Sequence, residues 1–227
     1  MVSSPIPVAI VIPVLNEAGQ LHALLDYLKP VQSQVVFVDG GSSDETRRQC
    51  EHTGFRVIES PSGRARQMNH GAAQVEADFI WFLHADCMPP GNAIESIQQA
   101  AKEGYSWGRF NVRLTGTAFI YRVIEHMMNW RSCVTQVATG DQGIFISREL
   151  FTGIGGFPDL PLMEDIAVSK LLRQHSRGAC IRSALSVSSR RWEERGAWRT
   201  IVQMWWLRWR YFFGADPAQL HRQYYAE

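Results

Sequence analysis

At three places in the sequence, side chains capable of acid, base or ligand chemistry directly follow a run of apolar residues. Val8-Ala9-Ile10-Val11-Ile12 leads into Pro13 and then Asn16-Glu17. Val35-Val36-Phe37-Val38 stops at Asp39-Gly40-Gly41-Ser42, with Asp44 just beyond, and Phe79-Ile80-Trp81-Phe82-Leu83 stops at His84-Ala85-Asp86. An ionised carboxylate only accepts hydrogen bonds, so it can read an N–H on a base edge, hold a hard divalent cation or take a proton. A further acidic pair, Glu164-Asp165, opens a helical pattern. In Gly63-Arg64-Ala65-Arg66-Gln67-Met68-Asn69-His70-Gly71, glycine permits close backbone approach while Arg64 and Arg66 offer planar donors to a diphosphate. Asp141, in Gly140-Asp141-Gln142-Gly143, is a further carboxylate, in a glycine-flanked segment that suits a turn.

The elements that must position these groups are legible in the apolar pattern. The β-branched runs suit strands buried on both faces of a parallel sheet. Between them, Leu21, Leu24, Leu25 and Leu28 have helical spacing, and Ser43-Asp44-Glu45 reads as the capped start of another helix. A short strand near Arg56–Ile58 and a helix over Arg66–Val75 complete four β–α alternations, which predict an open, mostly parallel sheet. Ligands of such sheets bind at the carboxyl ends of the strands, where the three polar clusters fall. Beyond residue 105 the pattern is mixed: an alternating stretch at Arg109–Leu114, a helix over Ala118–Arg131, a strand at Gly143–Ile146 and a helix over Glu164–Gln174. This half is expected to build the acceptor side. The expected division is a domain over residues 1–190, in halves 1–104 and 105–190, with a helical extension over 191–227.

At 227 residues and 45% hydrophobic the chain can bury one large core. The cysteines, Cys50, Cys87, Cys133 and Cys180, are far apart and form no CxxC pair. With no recognisable signal peptide, they read as packing residues in a reducing compartment rather than as a disulfide or zinc framework. No apolar run reaches the roughly 18 residues of a membrane span. The expected location is the cytoplasm, including its membrane face. Net charge is only +1, but Arg is concentrated in the tail, as are five of the eight tryptophans, between Trp192 and Trp209. Trp198, Ile201, Val202, Trp205, Trp209 and Phe212 or Phe213 recur at helical spacing there, a stripe expected to face a core or a dimer partner first, and an anionic membrane surface second.

Taken in order, Pro13-x-x-Asn16-Glu17, Asp39-Gly40-Gly41-Ser42-x-Asp44, the acidic motif ending at Asp86, Gly155-Gly156-Phe157, Glu164-Asp165 and Arg190-Arg191-Trp192 resemble family 2 glycosyltransferases over nearly the whole chain. The resemblance implies a GT-A type α/β fold, Rossmann-like, with a mostly parallel central sheet flanked by helices, and an inverting transfer from a nucleotide-diphosphate sugar, UDP-linked, to a hydroxyl acceptor. By it Pro13, Asn16, Glu17, Asp39 and Asp44 line the nucleotide pocket, Asp39 accepting the base imide hydrogen. Arg64 and Asn69 belong to the family's Gly-x-x-x-Gln-x-Asn-x-Gly stretch, and Arg191 clamps the diphosphate. Asp86 binds the divalent cation, Mn2+ or Mg2+, that bridges the donor phosphates. His84 stands where the family has its first Asp, and could ligate metal, contact ribose or simply pack. Asp165 is the general base and Glu164 its neighbour. Ser188 replaces the glutamine of the processive Gln-x-x-Arg-Trp motif, which argues against polymer synthesis. The chain also resembles a small bacterial subgroup of which some members are assigned to arsenosugar biosynthesis.

The implied partners are the nucleotide-sugar donor and an acceptor that is a lipid, a metabolite or a saccharide. A homodimer or a peripheral membrane contact through residues 198–213 is compatible with the aromatic stripe, and no nucleic-acid partner is expected. Two other readings compete. One is a catalytically silent nucleotide-sugar-binding or membrane-associated scaffold of the same fold, with His84 marking a degenerate metal site. The other is a nucleotidyltransferase, although the early Gly-rich, Lys-bearing loop of such enzymes is missing.

Overall fold

The computed structural model describes residues 5–190 and 196–225. Its centre is one eight-stranded sheet in the order β3-β2-β1-β4-β7-β6-β8-β5. The strands are β1 (Val8–Val14), β2 (Val35–Asp39), β3 (Arg56–Glu59), β4 (Phe79–Phe82), β5 (Cys87–Met88), β6 (Trp107–Leu114), β7 (Phe145–Ser147) and β8 (Ala179–Val187). The helices are α1 (Leu21–Leu28), α2 (Thr46–His52), α3 (Arg64–Ala73), α4 (Ala93–Lys102), α5 (Phe119–Thr135), α6 (Arg148–Gly153), α7 (Glu164–His175), α8 (Ala197–Phe212) and α9 (Pro217–Tyr225).

β3, β2, β1 and β4 are parallel, and their register places Val14 beside Asp39 and Asp39 beside Glu59. The strands therefore end together, and the residues that follow them share one rim. In β1 alternate residues leave on opposite faces: Ile10 and Ile12 pack with Leu21, Leu24, Leu25 and Leu28 of α1, while Val11 packs with Met68 of α3 and Val38. Burial on both faces is what selected an unbroken apolar run rather than an alternating one. At Gly71 of α3 a Cβ would lie 2.5 Å from Val11 Cγ1 and 2.7 Å from Val38 Cγ2, so glycine is what lets this helix lie so close to β1 and β2.

The other half of the sheet is mixed. β7 is antiparallel to β4 and to β6, β8 is parallel to β6 with an irregularity at Phe110/Asn111, and β5 is antiparallel to β8. Cys133 and Cys180 form a disulfide, with Cα atoms 5.8 Å apart, which corrects the expectation that all four cysteines are packing residues. They lie 47 residues apart in sequence and meet because α5 and β8 both flank β6. Cys50 and Cys87 are buried free thiols.

No helix among the described residues is long and apolar enough to cross a membrane. α8 packs on the rest of the protein through Leu207, with Met204 and Tyr211, against Met163 and Ile166 at the start of α7. The aromatic stripe expected at a core or a dimer partner points outward from the core: Val202, Trp205, Trp209, Phe212 and Phe213 are exposed, and among the described side chains of that set Ile201 rests on the core. The cause is that the residues one step round the helix, Met204, Leu207 and Tyr211, hold the inward face. The Trp198 side chain lies outside the described ones.

Candidate active site

The loop after β1 turns at Asn16, whose φ of 56° lies in the left-handed region that Asn tolerates better than most residues. Its main-chain N–H donates to Ser42 Oγ at 3.0 Å, and its side-chain Oδ1 accepts from the N–H of Ser43 at 2.9 Å. The Glu17 N–H donates to Thr46 Oγ1 at 2.7 Å, and Asp44 accepts from the N–H groups of Ala18 at 3.2 Å and Thr46 at 3.0 Å. Asp44 thus joins the loop after β1 to the first turn of α2, and its hydrogen bonds to Thr46 hold its carboxyl below the usual range.

Asp39 is 3% exposed. Its oxygens accept from the N–H groups of Gly41 at 3.1 Å and Ser42 at 3.0 Å, and from the Ser42 hydroxyl. It therefore organises the loop that follows β2. Behind that loop the buried amide of Gln67 donates to the carbonyls of Val14 at 2.9 Å and Val38 at 2.8 Å, clamping the ends of β1 and β2. Asn69, two residues on, accepts from the Phe157 N–H at 2.8 Å and donates to the Phe157 carbonyl at 2.8 Å. Both of its amide atoms are used to fasten the Gly155-Gly156-Phe157 turn to α3. Arg66 pairs with Asp159 at 2.9 Å, which leaves Arg64 as the arginine of this segment that addresses the site.

The centre lies where the end of β4 meets the Thr139–Gln142 turn and the start of α7. His84 rests edge-on against Gly140, where a Cβ would come within 2.3 Å of its Cε1. His84 as a whole is half-buried. Burial first, then the charge of Arg64, bring the imidazole down to about 4 against the smaller opposing pull of Asp86 and Asp165, so His84 is neutral at pH 7. Asp86 is exposed beside it, and accepts from the Cys87 thiol at 3.4 Å. Asp165 accepts from Gly140 N–H at 2.9 Å and Ile166 N–H at 2.7 Å. Glu164, 4% exposed, is raised to about 7 by burial and then by the adjacent Asp165. Met163, just before this pair, is held at a φ of 69°, an outlier for a bulky residue and of the kind that marks functional sites. Asp141, in the same recess, is pushed up by burial, with Asp165 and Asp86 adding to the effect. Glu17 is raised by burial and feels Asp86, Arg64 and Arg190.

The sequence-predicted residues Glu17, Arg64, His84, Asp86, Glu164 and Asp165 thus share one electrostatic neighbourhood. Pro13, Asn16, Asp39 and Asp44 lie at the ends of β1 and β2 and in the loops that follow, and Asn69 is fastened to the Phe157 turn. Arg191 lies outside the described residues. Gln67 was legible only as the Gln of the Gly-x-x-x-Gln-x-Asn-x-Gly stretch, and its clamp on the ends of β1 and β2 was not. No group of three or more His, Cys, Asp or Glu side chains poised to hold a metal occurs among the described residues. The donor set still fits a hard divalent cation, which keeps few protein ligands and completes its shell with substrate phosphates and water.

The profile of the family described as Glycosyl transferase family 2 matches residues 9–155. The chain belongs to that family. Comparison with curated protein sequences returns no match. Among solved structures the chain is similar to Staphylococcus aureus TarS 1-349 (S. aureus; 15% identity, TM-score 0.64, covering 81% of this chain and 60% of that one). It is also similar to the mannosyltransferase PcManGT from Pyrobaculum calidifontis, in complex with GDP-Man and Mn2+ (19%, 0.60, 82% and 57%). A third is the glucosyl-3-phosphoglycerate synthase from Mycobacterium tuberculosis, with Mn2+, UDP and glucosyl-3-phosphoglycerate (19%, 0.58, 81% and 70%). These likenesses establish the GT-A fold of this family member. The chain spans 60% of TarS 1-349 and 57% of the mannosyltransferase.

Proposed function

We propose that this chain is an inverting glycosyltransferase that moves a sugar from a UDP-sugar to an acceptor hydroxyl with the help of Mn2+ or Mg2+. The observation that carries the proposal is the convergence of Arg64, Asp86 and Asp165 around the neutral His84 at the carboxyl end of the parallel strands. The base and ribose lie along the loops after β1 and β2. Asp39 acts on them through the loop that it holds, and Asn16 and Asp44 act by joining the two loops. Asp86 holds the cation, with the neutral imidazole of His84 as an available nitrogen donor; a nitrogen ligand there would favour Mn2+. The cation would neutralise charge developing on the leaving diphosphate.

Arg64, at the first position of α3, adds a guanidinium to that same leaving group. Asp165 takes the proton of the acceptor hydroxyl as its oxygen bonds to the anomeric carbon, while the bond from that carbon to the diphosphate oxygen breaks and its electron pair leaves with UDP. Backbone N–H groups of Gly140 and Ile166 orient this carboxylate, and Glu164, protonated over part of the neutral range, limits repulsion beside it. A panel of UDP-sugars incubated with the protein and Mn2+ tests the activity. Release of UDP from one donor, lost in Asp165→Asn, supports it; absence of release from every donor, with water and a mixed acceptor pool both present, counts against it.

A further inference from the structure

The acceptor side of the recess contains two guanidiniums that form no ion pair with a carboxylate among the described residues. Arg131 on α5 donates from Nη1 to the Val137 carbonyl at 3.2 Å, but its Nη2 is buried with no hydrogen-bond partner. Arg208 on α8 likewise buries an Nε that has none. α8 is fixed there by the packing of Leu207 against Met163 and Ile166, the residues bracketing Glu164-Asp165. Buried N–H groups without acceptors cost free energy, and two like charges brought together cost more. Burial and then the charge of Arg208 lower Arg131 to about 10, and the opposing influence of Asp141 and Asp165 is smaller. Arg131 is therefore under-neutralised although carboxylates are near.

We infer that Arg131 and Arg208 form a subsite for a phosphate ester on the acceptor, held beside Asp141 and Asp165 so that a neighbouring hydroxyl of the same molecule meets the base. A phosphate dianion matches two guanidiniums in charge and supplies acceptors for the two buried N–H groups. The inference rests on the transferase reading for the role of Asp165, but the anion site itself does not. The phosphate belongs either to a soluble metabolite or to a lipid headgroup. The lipid source is worth a separate arm because Trp130 and Trp209, the chain neighbours of the two arginines, are both exposed.

The test titrates inorganic phosphate into the protein already saturated with UDP and Mn2+, so that the donor phosphate site is filled. Saturable binding that weakens at least tenfold in Arg131→Gln and in Arg208→Gln, and is largely kept in Arg208→Lys, is the expected result, with circular dichroism confirming that each variant is folded. In parallel, vesicles of phosphatidylcholine alone are compared with vesicles containing phosphatidic acid. Retention on the second kind only, lost in Arg208→Gln, supports the subsite and assigns it to a lipid phosphate. Phosphate binding without vesicle retention supports it and assigns a soluble acceptor. If UDP binds but neither probe does, or if the glutamine variants bind both probes as the wild type does, the subsite is wrong. If UDP itself fails to bind, the transferase reading falls, and phosphate titrated alone into wild type and Arg208→Gln still decides the subsite.

Discussion

The main-chain N–H of Gly140 donates to Oδ2 of Asp165 over 2.9 Å, tying the turn that backs His84 to the first helical turn of α7 across 25 residues of sequence. One glycine therefore sets both the His84 imidazole and the Asp165 carboxylate. A missing Cβ and a single hydrogen bond couple the two halves of the site.

Gly140→Ala places a methyl group 2.3 Å from His84 Cε1, so either the ring or the turn must move. Overpacking of this kind costs about 1–3 kcal/mol. The expected outcome is a folded protein of lower melting temperature, read by calorimetry, whose UDP affinity in Mn2+ falls more than its UDP affinity without metal.

Asp165→Asn keeps an oxygen for one of the two backbone N–H donors but cannot take a proton. Turnover is expected to fall by about 10²–10⁴ while UDP affinity stays within about twofold. Steady-state kinetics together with a UDP titration separate the two effects.

Gln67→Leu removes the side-chain donor that the buried carbonyls of Val14 and Val38 share, while the Val14 carbonyl keeps the Gly40 N–H at 3.0 Å. Each hydrogen bond lost contributes about 0.5–1.5 kcal/mol. Urea unfolding should show a loss of about 1–3 kcal/mol, and an unchanged stability would mean that the clamp does not hold the two strand ends.

Glu164 makes stability pH-dependent in the direction opposite to that of a salt-bridged acid. Its folded pKa, about 7, is above the ordinary value of 4.5, so between these values the folded protein binds more protons than the unfolded chain. Stability attributable to this group is highest below about pH 4.5, declines as pH rises toward 7, and levels off above. Glu164→Gln should abolish that decline, on the order of 3 kcal/mol in wild type, measured as the difference between the two proteins in denaturant unfolding from pH 5 to pH 8.

Much of this was legible in the sequence because the parallel half of the sheet is local: each of β1, β2 and β4 is an apolar run followed by its own polar cluster, and strand ends that align in register must bring those clusters together. Glu164-Asp165 was legible from its position at a helix start. What escaped depends on long-range packing. Asn69 and Arg66 read as ligand donors, but their partners, Phe157 and Asp159, lie roughly ninety residues away and nothing local predicts them. The Cys133–Cys180 bond follows from two elements meeting across β6. The aromatic face of α8 was expected at a core or a dimer partner, and the core option fails because Met204, Leu207 and Tyr211 supply a second apolar face; periodicity alone does not say which of two faces a protein uses. Arg131 and Arg208 gave no signal because an arginine in a helix ordinarily meets water.

The central claim, that a metal held by Asp86 joins a nucleotide diphosphate to this rim, is tested most directly by calorimetric titration of UDP with and without Mn2+ into wild type and Asp86→Ala. The account predicts tight binding to wild type only when Mn2+ is present, and loss of that metal-dependent gain, at least tenfold, in Asp86→Ala. Equal affinity in the two proteins, or no binding of UDP to wild type under either condition, would contradict it.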